Sequence, residues 1–310
     1  MIYTLTANPA IDYHMDLTEA GLRPGEINRS SGEEMLPGGK GLNVSVILAE
    51  LGTPSIAWGF TAGKAGNMLE ALAAERGCRC DFIRLPKGET RINVKLDCEQ
   101  ETAVNGIGPQ IGAAEVEELL ERVRTLTSND TLILSGNLQA GTVNLYEAIC
   151  RVSSSKGVRI VVDTEGGNLK QTFAYRPFLI KPNEEELLAL YGSSDTGEIV
   201  TLMSKCREEG VSNVMVTLGS KGALLLTEDG ALYRAVVRGQ KQAVSTVGAG
   251  DSTVAAFLAG LARYQGADDQ YEKALQLACA AGTATACCKW LARREEIEEM
   301  MKDILTERIG

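Results

Sequence analysis

A carboxylate in the first turn of a glycine-rich helix start is the strongest chemical signal in this sequence. The segment is Thr246-Val-Gly-Ala-Gly-Asp-Ser252, and the helix pattern begins near Ala249. Glycines here would let the backbone approach an anion, to which a helix N-terminus offers unpaired N–H groups and the positive end of its dipole. A carboxylate would repel a bound phosphate, so Asp251 makes sense there as the acceptor of a proton from an attacking hydroxyl group. An ordinary helix cap is the alternative, and for this segment alone it is slightly favoured.

Two other glycine-rich segments could bring the backbone close to a ligand. Pro37-Gly-Gly-Lys-Gly-Leu-Asn43 opens a helix and offers Lys40 and Asn43 as polar contacts, although it does not fit the GxxxxGK[ST] pattern of a Walker A loop. Thr217-Leu-Gly-Ser-Lys-Gly222 follows a strand and predicts a tight turn, which a plain hairpin would also explain. Each segment alone is weak evidence for a site.

The segment Lys181-Pro-Asn-Glu-Glu-Glu186 joins an apolar strand to a helix. Asn183 suits the N-cap position, and acidic residues are favoured in the first turn, so a capped helix explains the segment. In a functional interpretation, Asn183 and Glu186 order the water molecules around Mg²⁺, a cation that keeps several waters and uses few protein carboxylates.

The composition narrows the function classes. The 310 residues carry a net charge of −10, which argues against a nucleic-acid partner. His14 is the only histidine, so metal sites and catalytic triads that require histidine are nearly excluded. The eight cysteines form no CxxC pair and no secretory signal is present, which predicts free thiols in a reducing cytoplasm. No apolar run approaches the roughly 18 residues of a membrane span, so no membrane contact is expected.

Apolar strand patterns alternate with amphipathic helix patterns along the chain, which predicts an α/β fold whose central, mostly parallel sheet is flanked by helices on both faces. The predicted strands are residues 2–7, 55–60, 131–135, 158–163, 178–180 and 214–218, and the predicted helices are 41–51, 65–76, 142–156, 184–191, 249–264, 271–289 and 294–307.

Two polar pairs of strand-like segments interrupt this alternation. The first pair is 12–18 with 26–35, and the second is 91–97 with 101–105, joined by a hairpin through Cys98-Glu99-Gln100. They predict a small β-sheet lid, inserted at about 12–36 and 90–106 into a single domain of residues 1–310. Because exposed sheet edges invite pairing with another copy, a homodimer through the lid is a hypothesis.

The second lid segment carries two cations. On an extended strand, Arg91, Asn93 and Lys95 point to the same face, so the two cations could converge on one anion. Solvated lid charges are the alternative explanation. For a lone pair of basic residues it is the better one.

Three motifs together resemble the ribokinase-like sugar kinases of the phosphofructokinase-B type. They are Asn8-Pro-Ala-Ile-Asp12, Gly38-Gly-Lys-Gly-Leu-Asn43 and Val247-Gly-Ala-Gly-Asp251, and their order and spacing agree over essentially the whole chain. The segment Thr90-Arg-Ile-Asn-Val-Lys95, followed by Asn105-Gly106 and Gly108-Pro109, resembles the 1-phosphofructokinase and tagatose-6-phosphate kinase branch. The resemblance implies a ribokinase-like fold, ATP and Mg²⁺ as cofactors, and a small sugar phosphate as the other partner.

The resemblance also implies roles for individual residues. Asp251 would be the general base, next to N–H donors for the transferring phosphoryl group at Gly248, Ala249 and Gly250. The sugar would contact Asp12, Gly38, Gly39, Lys40, Asn43 and Ser135, with its phosphate on Arg91, Asn93 and Lys95. The nucleotide would lie near Lys181, Asn183, Glu186, Thr217, Gly219, Ser220, Lys221 and Gly222, with Mg²⁺ held by Asn183 and Glu186 through water.

Two stretches depart from the family pattern. Ser135-Gly-Asn-Leu-Gln139 replaces Ser-Gly-Ser-Leu-Pro, so the shape of this loop is expected to differ, and Ala281 stands where an asparagine is common. The latter change could alter how the adenine edge is held.

The expected reaction is phosphorylation of fructose 1-phosphate to fructose 1,6-bisphosphate. Tagatose 6-phosphate and fructose 6-phosphate remain alternatives, because all three are phosphorylated ketohexoses that need a cationic pocket. A catalytically silent sugar-phosphate sensor is disfavoured because Asp251 and both glycines are retained. A dinucleotide-dependent oxidoreductase is disfavoured because no GxGxxG follows the first strand.

Overall fold

A computed structural model describes residues 1–17, 21–97, 102–138 and 144–310. Its strands are β1 (Ile2–Thr6), β2 (Ala10–Leu17), β3 (Ser30–Gly38), β4 (Ser55–Ala62), β5 (Arg79–Cys80), β6 (Ile83–Leu85), β7 (Arg91–Asp97), β8 (Thr102–Asn105), β9 (Thr131–Ser135), β10 (Arg159–Asp163), β11 (Leu179–Ile180), β12 (Asn213–Thr217), β13 (Ala223–Leu226), β14 (Leu232–Val237) and β15 (Ile304–Arg308). Its helices are α1 (Lys40–Glu50), α2 (Gly63–Glu75), α3 (Ala113–Arg124), α4 (Leu145–Ser154), α5 (Gly166–Lys170), α6 (Glu184–Tyr191), α7 (Ile199–Glu208), α8 (Ala249–Arg263), α9 (Gln270–Ala286) and α10 (Arg294–Met301).

The main sheet has the strand order β15-β14-β13-β12-β11-β10-β9-β1-β4-β5, and β6 also pairs with β4. The pairs from β12 to β5 are parallel, and β13, β14 and β15 extend the sheet antiparallel. Strands at the centre are apolar on both faces, as in β9 with Leu132, Ile133 and Leu134 fully buried. One core joins the sheet to α1, α2 and α8–α10, and the other joins it to α3–α7. This arrangement confirms the predicted helix-covered parallel sheet.

A separate four-stranded sheet, of order β3-β2-β7-β8, lies at the two positions predicted for the lid. Strands β2 and β7 are parallel and in register, with Ala10 opposite Arg91, Asp12 opposite Asn93 and His14 opposite Lys95. This register places the polar side chains of both strands on one face. The predicted hairpin through Cys98, Glu99 and Gln100 falls outside the described residues.

The predicted C-terminal helix is wrong over its second half. Residues 294–307 form a helix only to Met301, and Ile304–Arg308 is a strand that pairs antiparallel with β14. The charged, helix-favouring composition of this segment hides the strand, which exists because β14 offers it a free edge. Segments 113–124, 199–208 and 223–237 also form elements that the sequence pattern did not predict.

Two expectations from composition can be compared with the structure. The cysteines within the described residues are free thiols. Among the described residues, no helix combines the length and the apolar character that crossing a membrane requires.

Candidate active site

A cavity of about 1050 Å³ opens at the carboxyl ends of the parallel strands, beside the lid. Main-sheet residues at these ends line it, including Thr6 of β1, Ser135 of β9, Asp163 of β10 and Thr217 of β12. The carboxyl ends of parallel strands meet at one edge of a sheet, and ligands of open α/β sheets bind in the crevice outside that edge.

The start of α8 forms one wall of the cavity. Gly248 is the N-cap with a φ of 79°, and a Cβ built there would lie 2.5 Å from Cδ2 of Leu291, so a larger residue would be strained as well as crowded. Asp251 in the first turn is 4% exposed, and Asn43 Nδ2 of α1 donates a hydrogen bond of 2.8 Å to its Oδ2. The two glycine-rich helix starts identified in the sequence therefore meet at Asp251.

Charged side chains of both signs surround this carboxylate. Burial and, next, the charge of Asp163 raise the pKa of Asp251 from its usual 3.8 to about 7, against the opposing effects of Asn43, Lys40 and Lys181. Lys181 Nζ lies 3.3 Å from Oδ1 of the buried Asp163. Burial acts to lower the pKa of Lys40, but nearby carboxylates, led by Asp163 and Asp251, raise it overall. A carboxylate whose pKa is near neutrality can both accept and release a proton at physiological pH.

Asp12 is held by two lid residues. Asn93 Nδ2 donates a hydrogen bond of 2.8 Å to Asp12 Oδ1, and Lys95 Nζ lies 3.5 Å from Oδ2. A Cβ on Gly38 would lie 2.5 Å from the same carboxylate, so only glycine leaves room for it. Asp12 itself lines the cavity. Asn93, Lys95 and Gly38 are next to Asp12 but are not among the described residues that line the cavity.

Arg91, on the same face of β7, does reach the cavity. Its Nε donates a hydrogen bond of 3.1 Å to the carbonyl oxygen of Asn8, and no hydrogen bond from its terminal nitrogens is found within the described residues. Burial lowers the pKa of Arg91, and the charge of Asp12 opposes this effect. The three residues predicted to share an anion thus separate into one that faces the cavity and two that contact Asp12.

Most of the remaining predicted positions also line the cavity. Asn183 and Glu186 form a capping box, in which Glu186 N donates to Asn183 Oδ1 at 2.7 Å and Asn183 N donates to Glu186 Oε2 at 2.8 Å. Lys221 is not among the described residues that line the cavity. Its side chain is 68% exposed, and its Nζ lies 3.7 Å from Oε2 of Glu184. The predicted residues that line the cavity are Asp12, Gly39, Lys40, Asn43, Arg91, Ser135, Lys181, Asn183, Glu186, Thr217, Gly219, Ser220, Gly222, Gly248, Ala249, Gly250 and Asp251.

Asp163 is the main residue that the sequence analysis missed. Its Oδ2 is buried, and no hydrogen-bond partner for it is found within the described residues. Asp163 ends strand β10 and pairs with Ser135, the last residue of the neighbouring strand β9. An acidic residue at the end of a buried strand was therefore the available signal. Lys241 and Cys287 also line the cavity, but they lie in segments without a recognisable motif. Thr283 lines it as well, two residues beyond the Ala281 that departs from the family pattern.

The loop that departs from the family pattern lies against the cavity. Ser135, Gly136, Asn137 and Leu138 line it, and Gln139 falls outside the described residues. The buried Ala281 of α9 lies outside the described lining.

Comparison with known proteins places the chain in a family. Residues 5–294 match the model of the pfkB family carbohydrate kinase. The chain belongs to the pfkB family. It is 35% identical to the 1-phosphofructokinase of Bacillus subtilis over the full length of both chains, and 30% identical to the D-tagatose-1-phosphate kinase of Bacillus licheniformis over 98% of each.

Solved structures of pfkB-like kinases agree with the fold. The phosphofructokinase-2 of Escherichia coli in complex with fructose-6-phosphate superposes with a TM-score of 0.85 at 26% identity, covering 97% of this chain and 98% of that one. A tetrameric, inhibited form of that enzyme is also known. The ribokinase of Arabidopsis thaliana gives a TM-score of 0.77 at 22% identity over 97% of this chain and 98% of that one, which confirms the ribokinase-like fold.

Proposed function

We propose that this protein, acting as a single domain with an inserted lid, transfers the γ-phosphoryl group of ATP to the free primary hydroxyl of fructose 1-phosphate, giving fructose 1,6-bisphosphate. The observation that carries the proposal is the buried Asp251 at the glycine-rich start of α8, in one cavity with Asp12, Lys40 and Arg91. The full-length similarity to a 1-phosphofructokinase supports this choice of acceptor.

In the proposed mechanism, Asp251 takes the proton of the attacking hydroxyl group, a contribution of roughly 10²–10⁴-fold to the rate. Asn43 holds the carboxylate in place through its hydrogen bond to Oδ2. The N–H groups at the start of α8 and the ammonium of Lys40 stabilise negative charge on the transferring group. Asp12 binds sugar hydroxyls, and Arg91 binds the sugar's phosphate. The lid excludes water, so that ATP is not hydrolysed instead.

The residues present fit Mg²⁺. Glu186 keeps one carboxylate oxygen beyond the one that accepts from Asn183 N, and Asp163 Oδ2 is buried without a partner in the described part of the chain. That part contains no group of three or more His, Cys, Asp or Glu side chains that could hold a metal ion. Magnesium suits such a site, because one or two carboxylates, water and substrate phosphates suffice to hold it. We propose that Glu186 and Asp163 would hold Mg²⁺, with Asn183 orienting Glu186, and that the ion would supply positive charge against the phosphates.

The pH dependence of turnover tests the role of Asp251. The ionised form is the proton acceptor, so a pKa of about 7 predicts that kcat/KM falls as the pH drops through neutrality, about tenfold per unit below roughly pH 6. The acid limb of kcat/KM reports the free enzyme, so Asp163→Asn should move it to lower pH by removing the like charge beside Asp251, even though losing a proposed Mg²⁺ ligand lowers the rate at every pH. The exposed Asp268→Asn is the matched control and should leave the limb in place. An acid limb that Asp163→Asn does not move would contradict this electrostatic coupling.

A coupled assay of ADP release on a panel of sugar phosphates tests the proposed function. We expect fructose 1-phosphate to give the highest kcat/KM, with tagatose 6-phosphate, fructose 6-phosphate and D-tagatose 1-phosphate as competitors. A higher kcat/KM for one of these sugars would show that it is the acceptor in place of fructose 1-phosphate. Binding of sugar phosphates without any ADP release would instead favour a sensor.

The lid exposes apolar side chains that a contact between two copies of the chain would cover. Ile92 and Val104 are 43% and 62% exposed, and the pairing of Val94 with Val104 extends this apolar surface across β7 and β8. We propose that two copies pair through the lids, which would cover these side chains. Light scattering at micromolar concentration should then give twice the chain mass of 33.1 kDa, and a monomer would refute the proposal.

A further inference from the structure

A second cleft, of about 760 Å³, lies at the opposite ends of the strands. Met1 precedes β1, and Ser55 and Arg79 begin β4 and β5, so the cleft borders the amino ends of the parallel sheet. The end of α1 and the start of α10 complete its walls. The proposed active site uses the carboxyl ends, so the two cavities are separate.

Positive charge is concentrated in this cleft, although the whole chain carries −10. Arg76, Arg79, Arg293 and Arg294 line it, and the acidic residues among its described lining are Glu50 and Glu295. Like charges brought together in a partly enclosed space repel one another unless an anion is bound between them. The local charge is therefore opposite in sign to that of the rest of the surface.

Glu50 is already shared among three of these arginines. Its Oε1 lies 2.7 Å from Arg293 Nη1 and 3.7 Å from Arg76 Nη2, and its backbone oxygen accepts from Arg294 Nε at 2.9 Å. One carboxylate cannot neutralise three guanidinium groups. It holds them in place and leaves excess positive charge in the cleft.

Arg76 has an N–H group without a hydrogen-bond partner in the described residues. Its guanidinium lies 4.4 Å from the ring centroid of Trp290, and its Nε is buried without a hydrogen-bond partner in the described residues. Burial and, next, the charge of Arg293 lower the pKa of Arg76. The guanidinium is thus held between an aromatic ring and a like charge, an arrangement that a bound anion would stabilise.

We propose that this cleft binds a small molecule that carries phosphate groups. The planar fork of arginine matches two phosphate oxygens at once, and several such forks in one cleft suit a ligand with more than one anionic group. A volume of about 760 Å³ is in the usual range of small-molecule sites. The proposal rests on the cleft alone and does not depend on the proposed kinase activity.

Calorimetric titration of the full chain with inorganic pyrophosphate, in buffer of low ionic strength, tests the site. We expect the double variant Arg79→Gln/Arg293→Gln to bind pyrophosphate at least tenfold more weakly than the unchanged protein. Arg79→Gln alone changes an exposed side chain, so it should fold normally and still weaken binding at least threefold. Arg91→Ala removes a cation of the other cavity and should leave this binding event in place.

The control removes two partly exposed arginines of α3, both of which pair with carboxylates of their own helix. Arg122→Gln/Arg124→Gln lowers the net charge by the same amount and should change pyrophosphate affinity less than twofold. Equal losses in the two double variants would mean that only overall charge matters and would overturn the site. Unchanged affinity in Arg79→Gln and in the cleft double variant would overturn it as well.

Discussion

Asp251→Asn is expected to lower kcat by about 10²-fold or more, while the KM for fructose 1-phosphate changes little. The amide keeps the shape of the side chain but cannot accept the proton of the attacking hydroxyl group. The contact with Asn43 at 2.8 Å survives in altered form, because an amide oxygen can still accept from Asn43 Nδ2. Steady-state kinetics with ATP and fructose 1-phosphate measure the effect.

The experiment must show that a lower kcat does not come from unfolding of the Asp251→Asn protein. Burial penalises the ionised Asp251, so the neutral asparagine should leave the melting temperature unchanged or raise it. The same substitution at the exposed Asp268 should leave kcat unaltered. Near-normal turnover by a folded Asp251→Asn protein would exclude Asp251 as the general base.

Arg91→Ala should weaken the use of fructose 1-phosphate by about 1.5–3 kcal/mol, the range of a hydrogen bond to a charged group. Arg91 is anchored by the carbonyl oxygen of Asn8 and lines the cavity, so we expect its terminal nitrogens to bind the phosphate. Arg91→Lys keeps the charge but loses the fork, and we expect it to lose part of the same affinity. Unphosphorylated fructose, where it is turned over at all, should be affected much less.

Two further variants make the test of Arg91 selective. Lys95→Met removes the cation 3.5 Å from Asp12, and because it acts through Asp12 it should impair both sugars to a similar degree. Lys87→Ala removes an exposed cation and should affect neither sugar. Equal losses of kcat/KM for the two sugars in Arg91→Ala would show that Arg91 shapes the lid or binds ATP and does not bind the sugar's phosphate.

Residue patterns determined most of the architecture. The apolar runs of the buried parallel strands and the amphipathic helices between them are local properties, and they located β1, β4, β9 and β10 to within two residues. The glycine-rich starts of α1 and α8 were equally visible, because a helix N-terminus that admits a ligand needs residues without side chains. The C-terminal strand Ile304–Arg308 was not visible, since it depends on a pairing with β14 that no local pattern records.

The tertiary structure decided how the charged residues divide their roles. Periodicity placed Arg91, Asn93 and Lys95 on one face, but it could not show that β2 pairs with β7 and brings Asp12 beside two of them. Asp163 is part of the cavity because folding brings the end of its strand near Lys181, which no local pattern records. The pKa of Asp251 likewise depends on burial and on charges far away in sequence. The sequence by itself determined most of the strands and helices, and the two glycine-rich helix starts that carry Asn43 and Asp251. Coulomb interactions and desolvation act through space, so the folded chain alone decided which charges meet.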